Sequence, residues 1–405
     1  MKKYIALILT SVFLIATFSI YYVHSALAKN DKTQFFIEHV DGDKGLLKDI
    51  SASGVYNLGN THEIFTITDK ETTYASDLPF FERIDDRGKA SGNKHLDELK
   101  RKYPSFMRGK FYEGYFFEDD THIIYAEVDY SNSYNGTLKD LRFSIDTLDK
   151  EKKQTNSYTI DIPKQKDIFQ MEVFDVQYLY DEVRIITSNQ QSNPNLTEVH
   201  QYTISLKKNQ ITDDKIILTK NETTNDFYST MSLTERNAIQ PSDIVMFKTD
   251  EEQTNDDGEI TQSKSKIYIY HYKEAKLSEL TLPAELQNRT DADLSYMYDE
   301  EHLYANRSIH DEDELKGTIY KIDLKTGKTA KKINFTPSSR LQIDWINLNE
   351  DTIQLFGRDS DSSPAFAVYS LEEGKLLFEG RVMAKKSDKV NFTDLQFSLY
   401  TINGI

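Results

Sequence analysis

Hydrophobic residues follow two regimes along this chain. Near the N-terminus, Lys2 and Lys3 precede an uncharged stretch from Tyr4 to Ala28, whose apolar heart, Ile5–Tyr22, is 18 residues long. As a helix that run covers roughly 27 Å, the thickness of a bilayer's hydrocarbon core. The basic flank predicts a cytoplasmic N-terminus, with everything after about residue 28 exported. Ala26-Leu27-Ala28 has the small-residue spacing of a cleavage site, whereas the run is longer than the h-region of a signal peptide. The segment therefore reads as a membrane anchor or as a signal segment removed after Ala28. Thr10, Ser11, Thr17 and Ser19 lie within it, so a helix that passes a signal across the membrane is a further reading.

Beyond residue 30 the period changes. Short runs rich in Ile, Val, Tyr, Phe and Thr alternate with polar turn clusters, the chemistry of half-buried strands. One stretch, Lys94–Tyr103, has helical spacing and stops at Pro104. The strand runs recur. Anchoring them at Ile64, Ile123, Val183, Ile244, Leu303 and Ile353 gives intervals of 59, 60, 61, 59 and 50 residues. In several repeats a four-strand unit is readable around the anchor, for example FYEGYFFEDD, HIIYAEV, LRFSIDTL and NSYTIDIP. Five such units run from about 111 to 384, and a sixth would combine residues 35–85 with the C-terminal strand Asp394–Ile402. Joining the two termini in one sheet removes exposed edges.

A fixed period of four antiparallel strands predicts an all-β fold, a β-propeller of about six four-stranded blades. The resemblance to bacterial β-propellers is sharpest at Thr318–Lys328 and Phe366–Lys375, where Gly327 and Gly374 suit a tight strand–turn–strand connection. WD dipeptides, a Kelch-type glycine pair and the Trp of quinoprotein repeats are all missing, so the resemblance implies a fold and no binding residues. The expected organisation is an anchor or signal segment over 1–28 and an extracytoplasmic propeller-like domain over 29–405, with a basic helical insertion at 86–110.

Composition narrows the function classes. Among 405 residues there is no Cys, which excludes disulfides, thiolate metal sites and a Cys nucleophile. Cys-free exported proteins resemble envelope proteins of low-GC Gram-positive bacteria. The net charge of −17 argues against a nucleic-acid partner. No G-x-S-x-G elbow or Gly-rich phosphate loop is present. His62-Glu63 begins a metalloprotease motif, but Thr66 stands where the second His belongs. The acidic stretches Asp250–Glu259, Asp311–Glu314 and Asp359–Asp361 read as solvated hairpin tips rather than cation sites. No cofactor, metal site or catalytic residue is expected.

The largest departure from the acidic background is residues 86–110. Arg87, Lys89, Lys94, Lys100, Arg101, Lys102, Arg108 and Lys110 face only Asp86, Asp97 and Glu98 there. These eight cations are the expected partner-binding residues, for an envelope or membrane protein, an anionic wall polymer or a lipid surface. The sequence thus reads as a tethered, non-catalytic binding or scaffold module. An enzyme acting on wall glycan at the propeller axis, and a sensor subunit signalling through its span, are the alternatives.

Overall fold

The computed structural model describes residues 33–58, 61–78, 94–132, 136–163, 167–192, 195–221, 226–232, 239–254, 260–289, 296–311, 314–349, 351–385, 392 and 396–403, together with helical positions between 10 and 19. The described chain is dominated by six antiparallel sheets. Sheet I orders Gln396–Asn403, Ser51–Leu58, Thr61–Ile67 and Thr72–Tyr74. Sheet II runs Phe116–Glu118, His122–Asn132, Leu138–Asp149 and Gln154–Asp161. Sheet III runs Ile168–Leu179, Glu182–Ser192, Asn195–Ser205 and Gln210–Asn221. Sheet IV runs Asp226–Ser232, Ile244–Thr254, Ile260–His271 and Lys276–Leu280, with Asn288–Arg289 added beside Ile260–His271. Sheet V runs Tyr296–Tyr298, His302–Asp311, Glu314–Asp323 and Thr329–Phe335. Sheet VI runs Gln342–Asn349, Thr352–Arg358, Pro364–Ser370 and Leu376–Ala384, with Phe35–Gly42 as a fifth strand. Sheets II to VI each contain a meander of four consecutive antiparallel strands, the construction of a propeller blade, and sheet I takes its first strand from the C-terminus.

The two termini are used differently from the sequence expectation. The C-terminal strand does complete a sheet with residues 51–74, in register from Ser51 against Asn403 to Asn57 against Gln396. Phe35–Gly42, however, leaves that unit and pairs with the outer strand of sheet VI, from Phe35 against Ala384. Ile64 also departs from the pattern. The anchors Ile123, Val183, Ile244, Leu303 and Ile353 open the second strand of their sheets and are buried, whereas Ile64 lies in the third strand of sheet I and is 36% exposed. Its 59-residue distance from Ile123 does not join equivalent positions, because the C-terminal strand supplies the first strand of sheet I.

The outer turns share one backbone device. A left-handed residue stands one or two positions before the fourth strand in sheets II to VI: Lys153, Asn209, Ala275, Gly327 and Gly374, with φ of 53°, 50°, 49°, 65° and 68°. Only two of these are glycine, although L-residues pay a steric penalty there. The Ala275 carbonyl accepts a hydrogen bond from Lys215 Nζ of the neighbouring sheet at 2.5 Å, so this turn also clasps sheets III and IV. Ala275→Gly is expected to raise the unfolding free energy by about 0.5–1 kcal/mol in a urea titration. No change, or a loss, would show that the turn is not held left-handed.

Five hydrophobic cores join successive sheets. They pair I with VI, VI with V, V with IV, IV with III and III with II. Among the described residues none joins sheets I and II. Instead, the remaining face of sheet II is covered by the helical insertion.

Among the described residues no helix is long and apolar enough to cross a membrane. The span expected at Ile5–Tyr22 lies largely outside the described residues. The described positions from Thr10 to Ser19 are helical, and Val12, Phe13 and Leu14 are exposed rather than packed into a core. Thr17 Oγ1 donates to Phe13 O at 2.8 Å within its own turn.

Candidate functional site

The insertion docks through its apolar positions. Helix α1, Lys94–Lys102, places Leu96 and Leu99 one turn apart on one face. Pro104 starts α2, Pro104–Met107, where its missing N–H is no loss. Leu96, Leu99, Phe106 and Met107 are buried against Phe116, Ile123, Tyr125 and Leu148 of sheet II. The opposite face of the same strands, including Ile124, Ala126, Phe143 and Ile145, packs on sheet III. Polar contacts pin the seam further. His95 meets Glu118, which also accepts from Lys150.

The expected cations that are described differ in their placement. Arg101, Lys102 and Arg108 are exposed, and Lys100 is half-buried. Lys110 is turned inward, 2.8 Å from Asp146 and above the rings of Phe106 and Tyr125 at 4.9 and 5.3 Å. It therefore fastens the insertion to sheet II. Lys94 begins α1, with its side chain outside what is described. Arg87 and Lys89 lie outside the described residues.

Immediately after the insertion the chain builds one wall of a cavity of about 410 Å³. A single 3-10 turn, Glu113–Tyr115, sets this wall. Gly114 permits it: a Cβ there would stand 2.6 Å from the Phe174 carbonyl oxygen of sheet III. The opposite wall comes from the first two strands of sheet III and includes Glu172, Ser188 and Gln190. Tyr112 and Tyr115 meet with ring centroids 5.1 Å apart at 42°. Tyr115 touches Tyr125, whose hydroxyl donates to Glu127 Oε2 at 2.9 Å. Tyr112 is 65% exposed, an open aromatic face at the cavity mouth. Tyr130 and Phe169 are exposed nearby in the same two sheets.

The electrostatics of this cavity are one-sided. Burial first, then the charge of Glu172, with Tyr112, Glu127 and Tyr130 adding, pushes the Tyr115 phenol up to about 12. Tyr115 therefore keeps its proton at physiological pH and is a hydrogen-bond donor. Burial, the Glu127 charge and the hydrogen bond to Glu127 hold the Tyr125 phenol up in the same direction. The sequence reading took FYEGYFFEDD as a closing strand, yet only Phe116–Glu118 is strand. The legible signal was Gly114 between Tyr112-Glu113 and Tyr115, a breaker flanked by aromatics within two residues on either side.

Other sequence candidates are tied into the fold. Glu63 accepts from Ser76 Oγ at 2.6 Å. Asp359 and Asp361 are held by Arg381 at 3.2 and 3.5 Å, and Arg381 also binds Glu38 at 2.6 Å. Residues 255–259 and 312–313 of the other acidic stretches lie outside the described residues. Among the described residues no group of three or more His, Asp or Glu is arranged to hold a metal ion.

A second set of perturbed groups lies between sheets III and IV. Burial pushes Asp175 up to about 6, against the hydrogen bonds from Tyr272 and Gln177 that pull it down. The Tyr272 hydroxyl donates to Asp175 Oδ2, and Gln177 Nε2 lies 3.2–3.3 Å from both carboxylate oxygens. The Gln177 amide oxygen accepts from Ser242 N at 3.0 Å. Asp175 does not line the cavity. It ties two sheets together.

No protein-family model matches the chain, and no curated protein matches it. Similar solved structures include a Synechocystis apocarotenoid oxygenase variant, 9% identical over 88% of this chain and 94% of that one, with a TM-score of 0.41. A polysaccharide lyase, an ulvan lyase, is 9% identical over 91% and 96%, with a TM-score of 0.36. Sucrose-6-phosphate hydrolase from Lactobacillus gasseri is 8% identical over 67% and 66%, with a TM-score of 0.29. Scores this low assign the chain no activity.

Proposed function

We propose that this protein is a propeller-like envelope module that binds a glycan in the cavity between Tyr112–Tyr115 and the first strands of sheet III. The observation that carries this is the lining itself. Tyr112 and Tyr115 offer ring faces, while Glu113, Glu172, Ser188 and Gln190 offer hydrogen-bonding groups. Sugars need both, because each ring has a flat C–H face and a fringe of hydroxyls. The volume lies within the range of roughly 300–1,000 Å³ common to small-molecule sites. Six antiparallel sheets joined in succession by their cores are the architecture proposed to hold this site.

The segment before residue 28 would keep the domain on the outer surface of a cell membrane, and the exposed Val12, Phe13 and Leu14 are consistent with lipid as their partner. The exposed Arg101, Lys102 and Arg108 on the insertion would attract an anionic envelope component beside the cavity. Catalysis on the bound glycan is the second reading. It is favoured by Tyr115, a phenol held protonated next to Glu172, which suits a proton donor.

The test is calorimetric titration of the full-length protein in detergent with two probes, the β-1,4-linked tetramers of N-acetylglucosamine and of glucosamine. Binding of either probe, weakened about tenfold or more by Tyr112→Ala with unchanged thermal stability, is the expected result. Failure of both probes to bind would remove the reading. Release of shorter sugars from a bound probe, abolished by Tyr115→Phe, would establish catalysis.

A further inference from the structure

Given a glycan in the cavity, as proposed above, the shape of the cavity wall selects among glycans. The first strand of sheet III, Ile168–Leu179, loses register with its neighbour twice. Asp175 pairs with Ile186 and Val173 with Thr187, so Phe174 is an extra residue. Gln170 pairs with Gln190 and Ile168 with Gln191, so Phe169 is another. Such bulges bend a strand and re-aim its side chains. The cavity wall lies between the two. At one bulge the Phe174 carbonyl faces Gly114. At the other, Phe169 and Gln170 are both exposed, between buried Ile168 and Met171. A regular strand would send two successive side chains to opposite faces.

Between the bulges the wall repeats. Gln170 stands opposite Gln190, and Glu172 opposite Ser188. All four line the cavity. They form two polar rungs on one face, one rung at every second residue. Phe169 and Phe174 are separated by about 17 Å at the rise of a strand, longer than a single sugar ring. Phe169 is 41% exposed at the far end of this run, where its ring extends the wall beyond the cavity. On the facing side Tyr112 is an open ring. Tyr130, 51% exposed, also falls at a break in register, between Asp129 and Ser131. It lies close enough to Tyr115 to act on that phenol. Exposed aromatics scattered singly need no explanation, but here three border one bulged wall.

We propose that the site takes a chain of linked sugars, several units at once, rather than a single sugar. The chain would lie along Gln170 and Glu172 of sheet III, with one unit against Tyr112 and an outlying unit against Phe169. The two rungs supply hydrogen bonds to successive units, and the two rings stack on C–H faces at either end. Each added unit meets a wall already in place, so affinity rises with chain length until the ring of Phe169 is reached.

A length series separates this inference from the reading beneath it. The β-1,4-linked dimer, tetramer and hexamer of N-acetylglucosamine, and those of glucosamine, are titrated into the full-length protein in detergent. In whichever series binds, the hexamer is expected to bind at least about tenfold more tightly than the dimer, more than its extra binding frames supply. Phe169→Ala should weaken the hexamer by about fivefold or more and leave the dimer unchanged. Phe169→Tyr, which keeps a ring, should preserve the length dependence. Equal affinities for dimer and hexamer, or a Phe169→Ala effect that is absent or the same at every length, would overturn the chain inference and leave glycan binding standing. Binding of no oligomer in either series would overturn both.

Discussion

Phe106→Ala is expected to lower the unfolding free energy by about 3 kcal/mol and to weaken the cavity wall at the same time. Phe106 is buried with Leu96, Leu99 and Met107 on one face of sheet II. Its ring also lies under Lys110, which pairs with Asp146. Truncation removes the transfer free energy of the ring and leaves a void that the short α2 cannot fill by itself. Residues 112–115 follow directly on, so a loosened insertion displaces Tyr112 and Tyr115 from sheet III. A urea titration checks the first effect and probe titration the second. Phe106→Leu, which keeps most of the volume, should recover the larger part of both. A loss below about 1 kcal/mol for Phe106→Ala would mean that the helices are not seated on sheet II.

Tyr272→Phe is expected to cost about 2 kcal/mol at pH 7, because it removes the hydroxyl donor from a buried carboxylate. The loss should shrink below pH 5, where Asp175 carries its proton. The sign follows from the direction of the shift. Asp175 is raised from 3.8 to about 6 in the folded protein, so the native state holds this proton more tightly than the unfolded chain does. Its contribution is complete below the unfolded value and is lost as pH rises through about 6. Asp175→Asn removes that loss. Relative to the unmutated protein, the variant should gain stability between about pH 4 and 6, by up to about 3 kcal/mol. Burial also raises Glu379, in sheet VI, so the comparison must be made between the two proteins and not along one pH curve. Parallel pH curves would show that Asp175 titrates as it does in the unfolded chain.

The sheets were legible in the sequence because their residues are chosen for packing. Ile123, Val183, Leu303 and Ile353 recur because each begins a strand with both faces buried. The turns were half legible. Gly327 and Gly374 announce a left-handed residue, while Lys153, Asn209 and Ala275 adopt the same conformation without the glycine. Position in a hairpin dictates φ there, and residue type only modifies its energy. The placement of Phe35–Gly42 was not legible, since an edge strand with an alternating pattern fits either of two neighbouring sheets equally well.

The candidate site shows the same division. The insertion stood out by charge and by its single helical period, but charge alone did not show how it is seated. Lys110 is used inward, and the apolar residues Leu96 and Phe106 hold the insertion in place. The cavity depends on residues about 60 positions apart, Tyr112 and Glu172, which only the pairing of sheets II and III brings together. Gly114 was a local sign of it, meaningful once the Phe174 carbonyl is known to sit opposite.

Hydrogen exchange of the full-length protein with and without the tighter-binding tetramer at saturation tests the central claim most directly, because it locates the ligand without a mutation. The predicted result is slowed exchange confined to peptides covering residues 110–118 and 168–174, with the remaining sheets unchanged. Slowing centred on sheets V and VI, or no change anywhere, would contradict it.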